Sequence, residues 1–220
     1  MGNRRARSLR LTTSHRAVRR RSTSRSRARG GGLQTFVLAE LKARCDDLAA
    51  VRRYLRGRAR HERTLRQIDT YFVVPRGRLK LREARGGGQL IFYRRPDRAA
   101  AKRSDVAVVP VRDGGTVVAV LGRALGVRAV VTKVRESWRW RGVQVQLDTV
   151  DGLGTFVELK KVVRGARALA AASRELTALR RELGLAAADI QAPSYSELVG
   201  RRRASATSRR EPRAPPMTAV

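Results

Sequence analysis

The chain has one cysteine, two histidines and only eighteen acidic residues among 220, and each scarcity removes a class of protein. A single thiol, Cys45, closes no disulfide within the chain, so a disulfide-stapled scaffold is excluded and a reducing compartment fits. Cys45 has no activating partner in view and reads as a small residue at a helix start rather than a nucleophile. His15 lies in a tail and His61 in a charged connector, neither with a ligand at metal spacing, so both read as surface residues. No apolar run approaches the ~20 residues that span a bilayer, and the N-terminus lacks the apolar stretch of a secretory signal. The expectation is a soluble protein of the cytoplasm, with organelle import through residues 1–32 as the competing reading.

Against the eighteen acids stand fifty Lys and Arg, a net charge of +32. That imbalance implies a polyanionic partner, a basic tail, or both. Residues 1–32 contribute eleven arginines and no acid, and residues 201–220 a net +5, which leaves +16 on residues 33–200. The ends alone do not explain the basicity. Both ends are Arg- and Ser-rich and cannot bury enough apolar area to offset the entropy of ordering them, so disordered tails are expected at 1–32 and 201–220. One well-buried domain is expected between them, at 33–200.

Within that domain, two-residue alternation dominates. Strands are expected at Gln34–Arg44, Gln67–Val74, Leu79–Arg85, Gln89–Arg95 and about 104–111. Ala129–Arg141 and Val143–Val150 form a hairpin about Gly142, and Thr155–Val163 closes the series. Helices are expected after Asp46 or Asp47, with Leu48, Val51 and Leu55 on one face, at about 115–125, and at Ser173–Leu183. The fold class is α+β, mainly β. An antiparallel sheet of about eight strands can close on itself and leave an interior wide enough for a small ligand.

Residues two apart on a strand share a face. Lys80 and Arg82 therefore point together, opposite Leu79 and Leu81; so do Glu40, Lys42 and Arg44; so do Lys133, Arg135, Arg139 and Arg141. Glu158 and Lys160 share a face of the last strand, and Trp138 and Trp140 fall on the outer wall of the long hairpin. One reading is the wet face of an antiparallel sheet. The other is a cationic interior, because cations recur from the first strand to the last, outnumber the acids and would repel one another without a bound polyphosphate. Glu40, Asp148 and Glu158 come from three strands, a convergence that suits a hard divalent cation.

These residues stand in a string of motifs: Ala39-Glu40-Leu41-Lys42, Gln67-Ile68-Asp69-Thr70-Tyr71-Phe72, Gly77-Arg78-Leu79-Lys80-Leu81-Arg82 and Tyr93-Arg94-Arg95-Pro96-Asp97. Lys102-Arg103-Ser104, Lys133-Val134-Arg135-Glu136 and Leu147 through Glu158 complete it. In order and spacing the string resembles the CYTH family, which groups class IV adenylyl cyclases, thiamine triphosphatases and inorganic triphosphatases. The resemblance implies an eight-stranded antiparallel tunnel, a closed barrel open at both ends, that holds a triphosphate with interior cations and Mg²⁺ or Mn²⁺ with interior carboxylates. Carried over by motif, Lys42, Lys80, Arg82, Arg94, Arg103, Lys133 and Arg135 would contact phosphate. Lys42 would also orient or deprotonate a nucleophile, and Glu40, Asp148 and Glu158 would be metal ligands.

Two positions depart from the family pattern. Leu38 stands where the first Glu of Glu-x-Glu-x-Lys is expected, and Lys160 where the second Glu of the last strand is expected. A Lys160 ammonium would take part of a metal's space, pairing with Glu40 or Glu158. Three functions therefore compete: a metal-dependent triphosphatase or cyclase acting on a nucleotide, thiamine triphosphate or inorganic polyphosphate; a catalytically impaired binder of an organic polyanion; and a nucleic-acid-associated protein that binds through its basic tails with strong salt dependence.

Overall fold

Eleven residues of alternation from Gln34 to Arg44 form β1, and seven more strands follow: β2 (Arg60–Phe72), β3 (Arg78–Ala84), β4 (Gly87–Arg94), β5 (Lys102–Val111), β6 (Val127–Trp140), β7 (Val143–Val150) and β8 (Gly154–Val163). The computed structural model describes residues 32–96 and 100–208; the expectations for residues 1–31 and 209–220 fall outside the described residues. All eight strands pair antiparallel and close into a barrel in the order β1-β5-β4-β3-β2-β6-β7-β8. Closure removes both sheet edges. The hairpin between β6 and β7 turns on Arg141 and Gly142, both at positive φ (47° and 77°), the geometry that matches the twist of its strands.

Four helices decorate the described barrel: α1 (Leu48–Leu55), α2 (Gly114–Leu125), α3 (Ala166–Glu182) and α4 (Tyr195–Ser208). Asp47 caps α1 by accepting from the Ala50 N–H at 2.9 Å, and Asp113 caps α2 through Thr116. Two features differ from expectation. β2 starts at Arg60, well before Gln67, because its charged first half pairs with the far half of β6 through a register shift between His61 and Arg63. Charge there hid the strand period. α4 runs through residues 201–208, which were expected to belong to a tail. Arg and Ala favour helix, and a capping box anchors the start: the Ser194 N–H donates to Glu197 at 2.6 Å, and the Glu197 N–H donates back to Ser194 Oγ at 3.4 Å.

The apolar core lies outside the barrel. Leu41, Val145, Leu147, Val157 and Leu159 point outward from β1, β7 and β8 and are at most 1% exposed, packed under Val51 and Leu55 of α1 and Leu176 and Leu179 of α3. Each such side chain contributes roughly 1.5–3 kcal/mol. Trp138 and Trp140 are buried in the same layer, on the outer wall as their alternation requires. The barrel interior holds the charged and polar groups, beside a smaller apolar cluster of Leu38, Ile91, Tyr93, Val106 and Val108.

The β2–β3 connection depends on Gly77, whose φ is +69° and where an added Cβ would sit 2.8 Å from the Tyr93 carbonyl oxygen. Gly77→Ala is expected to lower stability by about 1–2 kcal/mol from the left-handed backbone alone, and by more from the overlap. Urea unfolding measures it; a variant as stable as the parent would show that the turn relaxes freely.

Candidate ligand-binding tunnel

One side chain in two enters the barrel. β1 sends in Gln34, Phe36, Leu38, Glu40 and Lys42; β3 sends in Lys80 and Arg82; β4 sends in Gln89, Ile91 and Tyr93, and Arg95 follows just beyond its end. Ser104, Val106 and Val108 enter from β5, Arg135 from β6, Gln144 and Gln146 from β7, and Glu158 and Lys160 from β8. With Arg63 and Tyr71 of β2, they enclose about 320 Å³, the scale of a small-ligand cavity.

Two ion networks fill the charged part. Asp69 of β2 is fully buried and accepts from Lys80 Nζ at 2.9 Å, from Arg82 Nε and Nη2 at 2.8 and 2.9 Å, and from Lys133 Nζ. Burial pushes its carboxyl up, but the charges of Arg82, Lys80 and Lys133 outweigh burial and hold it well below the usual carboxylate range. One carboxylate cannot serve three cations equally. Burial, with Arg82 beside it, drives Lys80 well below an ordinary lysine, and burial lowers Lys133 to about 8 despite Asp69.

The second network centres on Arg135. Its Nε and Nη2 donate to Asp148 at 2.6 and 2.5 Å, and Nη2 also donates to Glu158 at 2.8 Å. Tyr195 of α4 donates its hydroxyl to Asp148 at 2.8 Å. Lys160 Nζ lies 3.2 Å from Glu158 and 3.7 Å from Glu40, bridging them, and Arg95 Nη1 donates to Glu40 at 3.2 Å.

At this end of the barrel the segment before α4 packs inward. Lys42 Nζ donates to the Pro193 carbonyl at 2.5 Å and Lys102 Nζ to the Ala192 carbonyl at 2.7 Å. Tyr195 stacks edge-on against Phe156, their ring centroids 5.1 Å apart, and Ser194 and Tyr195 line the cavity. The family resemblance implied a tunnel open at both ends; here a plug, Ala192–Tyr195, covers one of them. Burial lowers Lys42 to about 7, with Arg95 and Lys102 pushing the same way against the pull of Glu158 and Asp148.

The interior is cation-rich overall. Among the described residues, the basic side chains Lys42, Lys80, Arg82, Arg95, Lys102, Lys133, Arg135 and Lys160 outnumber the carboxylates Glu40, Asp69, Asp148 and Glu158 beside them, and burial lowers three of the lysines rather than leaving every one fully charged. Among the described residues, Arg135 Nη1 and Arg95 Nε are buried without an acceptor. Buried donors left unpaired are costly.

Of the residues expected to meet phosphate, Lys42, Lys80, Arg82, Lys133 and Arg135 are gathered inside. Arg94 and Arg103 are not: Arg94 is exposed, and Arg103 pairs on the surface with Asp105 at 2.6 Å. Both belong instead to an outer cleft shared with Arg128. The interior takes their neighbours Arg95 and Lys102, because inward residues are odd-numbered on β4 and even-numbered on β5. Asp69 and Tyr195 were also missed as site residues. The alternation of Gln67, Asp69 and Tyr71 was the available signal for the first, and the capping box Ser194-x-x-Glu197 for the helix that carries the second.

The expected metal ligands are all inside, but each is engaged by a cation. Among the described residues no three carboxylate, histidine or cysteine side chains come together as a metal site. With Arg135 on Asp148 and Glu158, and Lys160 between Glu158 and Glu40, this donor set does not fit a resident Mg²⁺ or Mn²⁺.

No curated protein matches the chain in sequence. Several solved structures share its fold. The PH1012 protein of Pyrococcus horikoshii is 22% identical with a TM-score of 0.66, over 73% of this chain and 98% of that one. A conserved hypothetical protein of Pyrococcus furiosus is 24% identical with a TM-score of 0.64, over 73% and 99%. The PH1819 protein of Pyrococcus horikoshii is 24% identical with a TM-score of 0.64, over 76% and 99%. The family model of the CYTH domain matches residues 39–195, from β1 through the plug to the first residue of α4. With most of its length matched and its charges turned into a closed antiparallel barrel, this chain belongs to the CYTH family.

Proposed function

We propose that the tunnel binds the polyphosphate of a triphosphate-bearing molecule, using its own cations rather than a resident divalent ion. The observation that carries this reading is the convergence of eight basic side chains on four carboxylates in one interior, with Arg135 Nη1 and Arg95 Nε unpaired among the described residues. Buried bases relieve such crowding either by losing protons, as the lowered Lys42, Lys80 and Lys133 do, or by taking up a counter-charge. A triphosphate supplies that counter-charge and offers paired acceptors to guanidinium groups. Lys80, Arg82 and Lys133 would exchange part of their shared hold on Asp69 for phosphate oxygens, and Lys42 would leave the Pro193 carbonyl for one.

A second reading, phosphoryl or nucleotidyl chemistry, is favoured by Lys42: a buried amine near neutral pKa in the cavity can hold or release a proton beside a nucleophile. A Hippeastrum protein of the same fold, 17% identical with a TM-score of 0.52, is described as having a dominant triphosphatase activity. One experiment separates the readings. The full chain is titrated with tripolyphosphate, ATP and thiamine triphosphate in EDTA and in Mg²⁺ or Mn²⁺, and the mixtures are then assayed for products. Binding in EDTA without turnover is the expected result. Metal-dependent release of phosphate or cyclic AMP would establish the second reading, and absence of binding by all three would overturn the first.

Affinity is also expected to depend on pH. Lys42 faces Glu158, Arg95, Lys102, Asp148 and Tyr195 and titrates near 7 when no ligand is bound. An anion favours its protonated form and raises that pKa, so binding is tightest below pH 7. It weakens up to tenfold per unit as pH rises past 7. Lys133, at about 8, extends the decline. Calorimetry between about pH 7 and 9, above the phosphate's own titration near 6, measures this; a flat profile would remove both lysines from the binding step.

A further inference from the structure

The tunnel wall is divided by sector. Three strands adjacent in the barrel, β1, β5 and β4, present Phe36 and Leu38, Val106 and Val108, and Ile91 to the cavity. With Tyr93 these side chains form one contiguous apolar cluster. Register ties them together: Phe36 pairs with Val106, Val106 with Tyr93, and Val108 with Ile91. Charge on this sector begins only toward the plugged end, at Glu40 and Arg95. Away from that end the cations come from the other strands: Lys80 and Arg82 of β3, Lys133 and Arg135 of β6 and Lys160 of β8, while Lys42, Lys102 and Arg95 sit at the plugged end. Leu38 stands where the family motif would place a carboxylate, so this sector is apolar where an acid was expected.

From this division we infer that the ligand is a polyphosphate ester of an uncharged, apolar alcohol, with its organic group on the β1–β5–β4 sector. The inference rests on the polyphosphate reading above and adds the substrate class. Inorganic polyphosphate alone, held by the cations, would leave this hydrocarbon without a partner. Gln34 and Gln89 flank this sector, but a nucleoside seated on it would still bring ring nitrogens and ribose hydroxyls against Phe36, Leu38, Ile91, Val106 and Val108, none of which can hydrogen-bond through its side chain. An alkyl or prenyl-like group meets no such penalty and gains by leaving water. At the junction of the two sectors Ser104 is fully buried, pairs in register with Leu38, and its Oγ has no partner among the described residues. It is placed to meet the ester oxygen where phosphate gives way to hydrocarbon.

The test is calorimetry of the full chain in EDTA with three probes: n-octyl triphosphate below its micelle concentration, tripolyphosphate and ATP. Octyl triphosphate is expected to bind at least about tenfold more tightly than tripolyphosphate, since each buried methylene adds a severalfold gain. Val106→Thr, close in shape but polar, is expected to lower octyl triphosphate affinity severalfold and leave tripolyphosphate affinity unchanged, the second value reporting an intact barrel; Val108→Thr serves if that variant does not fold. Octyl triphosphate binding no more tightly than tripolyphosphate, or less tightly than ATP, overturns the inference while the polyphosphate reading stands. If none of the three binds, the polyphosphate reading falls and this inference with it.

Discussion

Asp69→Asn is expected to lower stability by about 3–5 kcal/mol, the scale seen when one partner of a buried ion network is removed. That is a large fraction of the ~5–15 kcal/mol that holds a domain folded. The variant keeps the shape of the side chain but leaves Lys80, Arg82 and Lys133 with no counter-charge where three cations now converge. Saturating tripolyphosphate should restore much of the loss, because phosphate replaces the missing carboxylate; the ligand-induced gain is therefore expected to be larger in the variant than in the parent. The pH profile supplies a second sign. The Asp69 pKa is depressed in the fold, so its stabilisation is present above the unfolded carboxylate value near 4 and is lost as pH falls below it. The parent should lose this contribution in acid, and the variant, having none, should show a shallower acid limb. Urea titrations with and without tripolyphosphate at several pH values measure all three effects. Equal stability of the two proteins without ligand would show that Asp69 does not hold the cations in place.

The second large effect concerns Lys160. Its ammonium bridges Glu40 and Glu158, so added Mn²⁺ should leave the melting temperature of the parent unchanged when no phosphate is present. Replacing both departures from the motif, Leu38→Glu with Lys160→Glu, removes the ammonium and adds two carboxylates beside Glu40 and Glu158. This variant is expected to be less stable than the parent in EDTA, through like-charge repulsion. It should gain about 2.7 kcal/mol when Mn²⁺ reaches a hundred times its Kd. Metal-dependent turnover of a triphosphate in the variant but not in the parent would mark the parent as a binder. Stabilisation of the parent by Mn²⁺ alone would show that the native carboxylates already hold a metal, and the argument from Lys160 would fail.

Most of the strands were readable from alternation, because most of them separate their two faces with a period of two; closure into a barrel was implied by the family resemblance. Lys80 and Arg82 alternate with Leu79 and Leu81 and admit one assignment of faces. The pairs Arg94-Arg95 and Lys102-Arg103 do not: adjacent cations satisfy either parity, and the choice is made by pairings such as Tyr93 with Val106 and Leu38 with Ser104, between residues far apart in the chain. Asp69 was unremarked for a similar reason. Its importance lies in cations from β3 and β6, which no local spacing reveals. α4 was overlooked because its second half, Arg201 through Ser208, carries no apolar face, while Tyr195 and Leu198 dock the first.

Placing the hydrophobic layer outside the barrel, between its wall and α1 and α3, separates what keeps this protein folded from what it recognises. In most small domains a change of specificity must be made in or beside the core, and selection on one property constrains the other. Here Leu41, Val145 and Leu159 can stay fixed while their inward-facing neighbours drift. Leu38 and Lys160 are two such inward positions, both departing from the family motif on strands whose outer faces remain intact. An architecture of this kind can diverge in ligand while its scaffold is inherited almost unchanged.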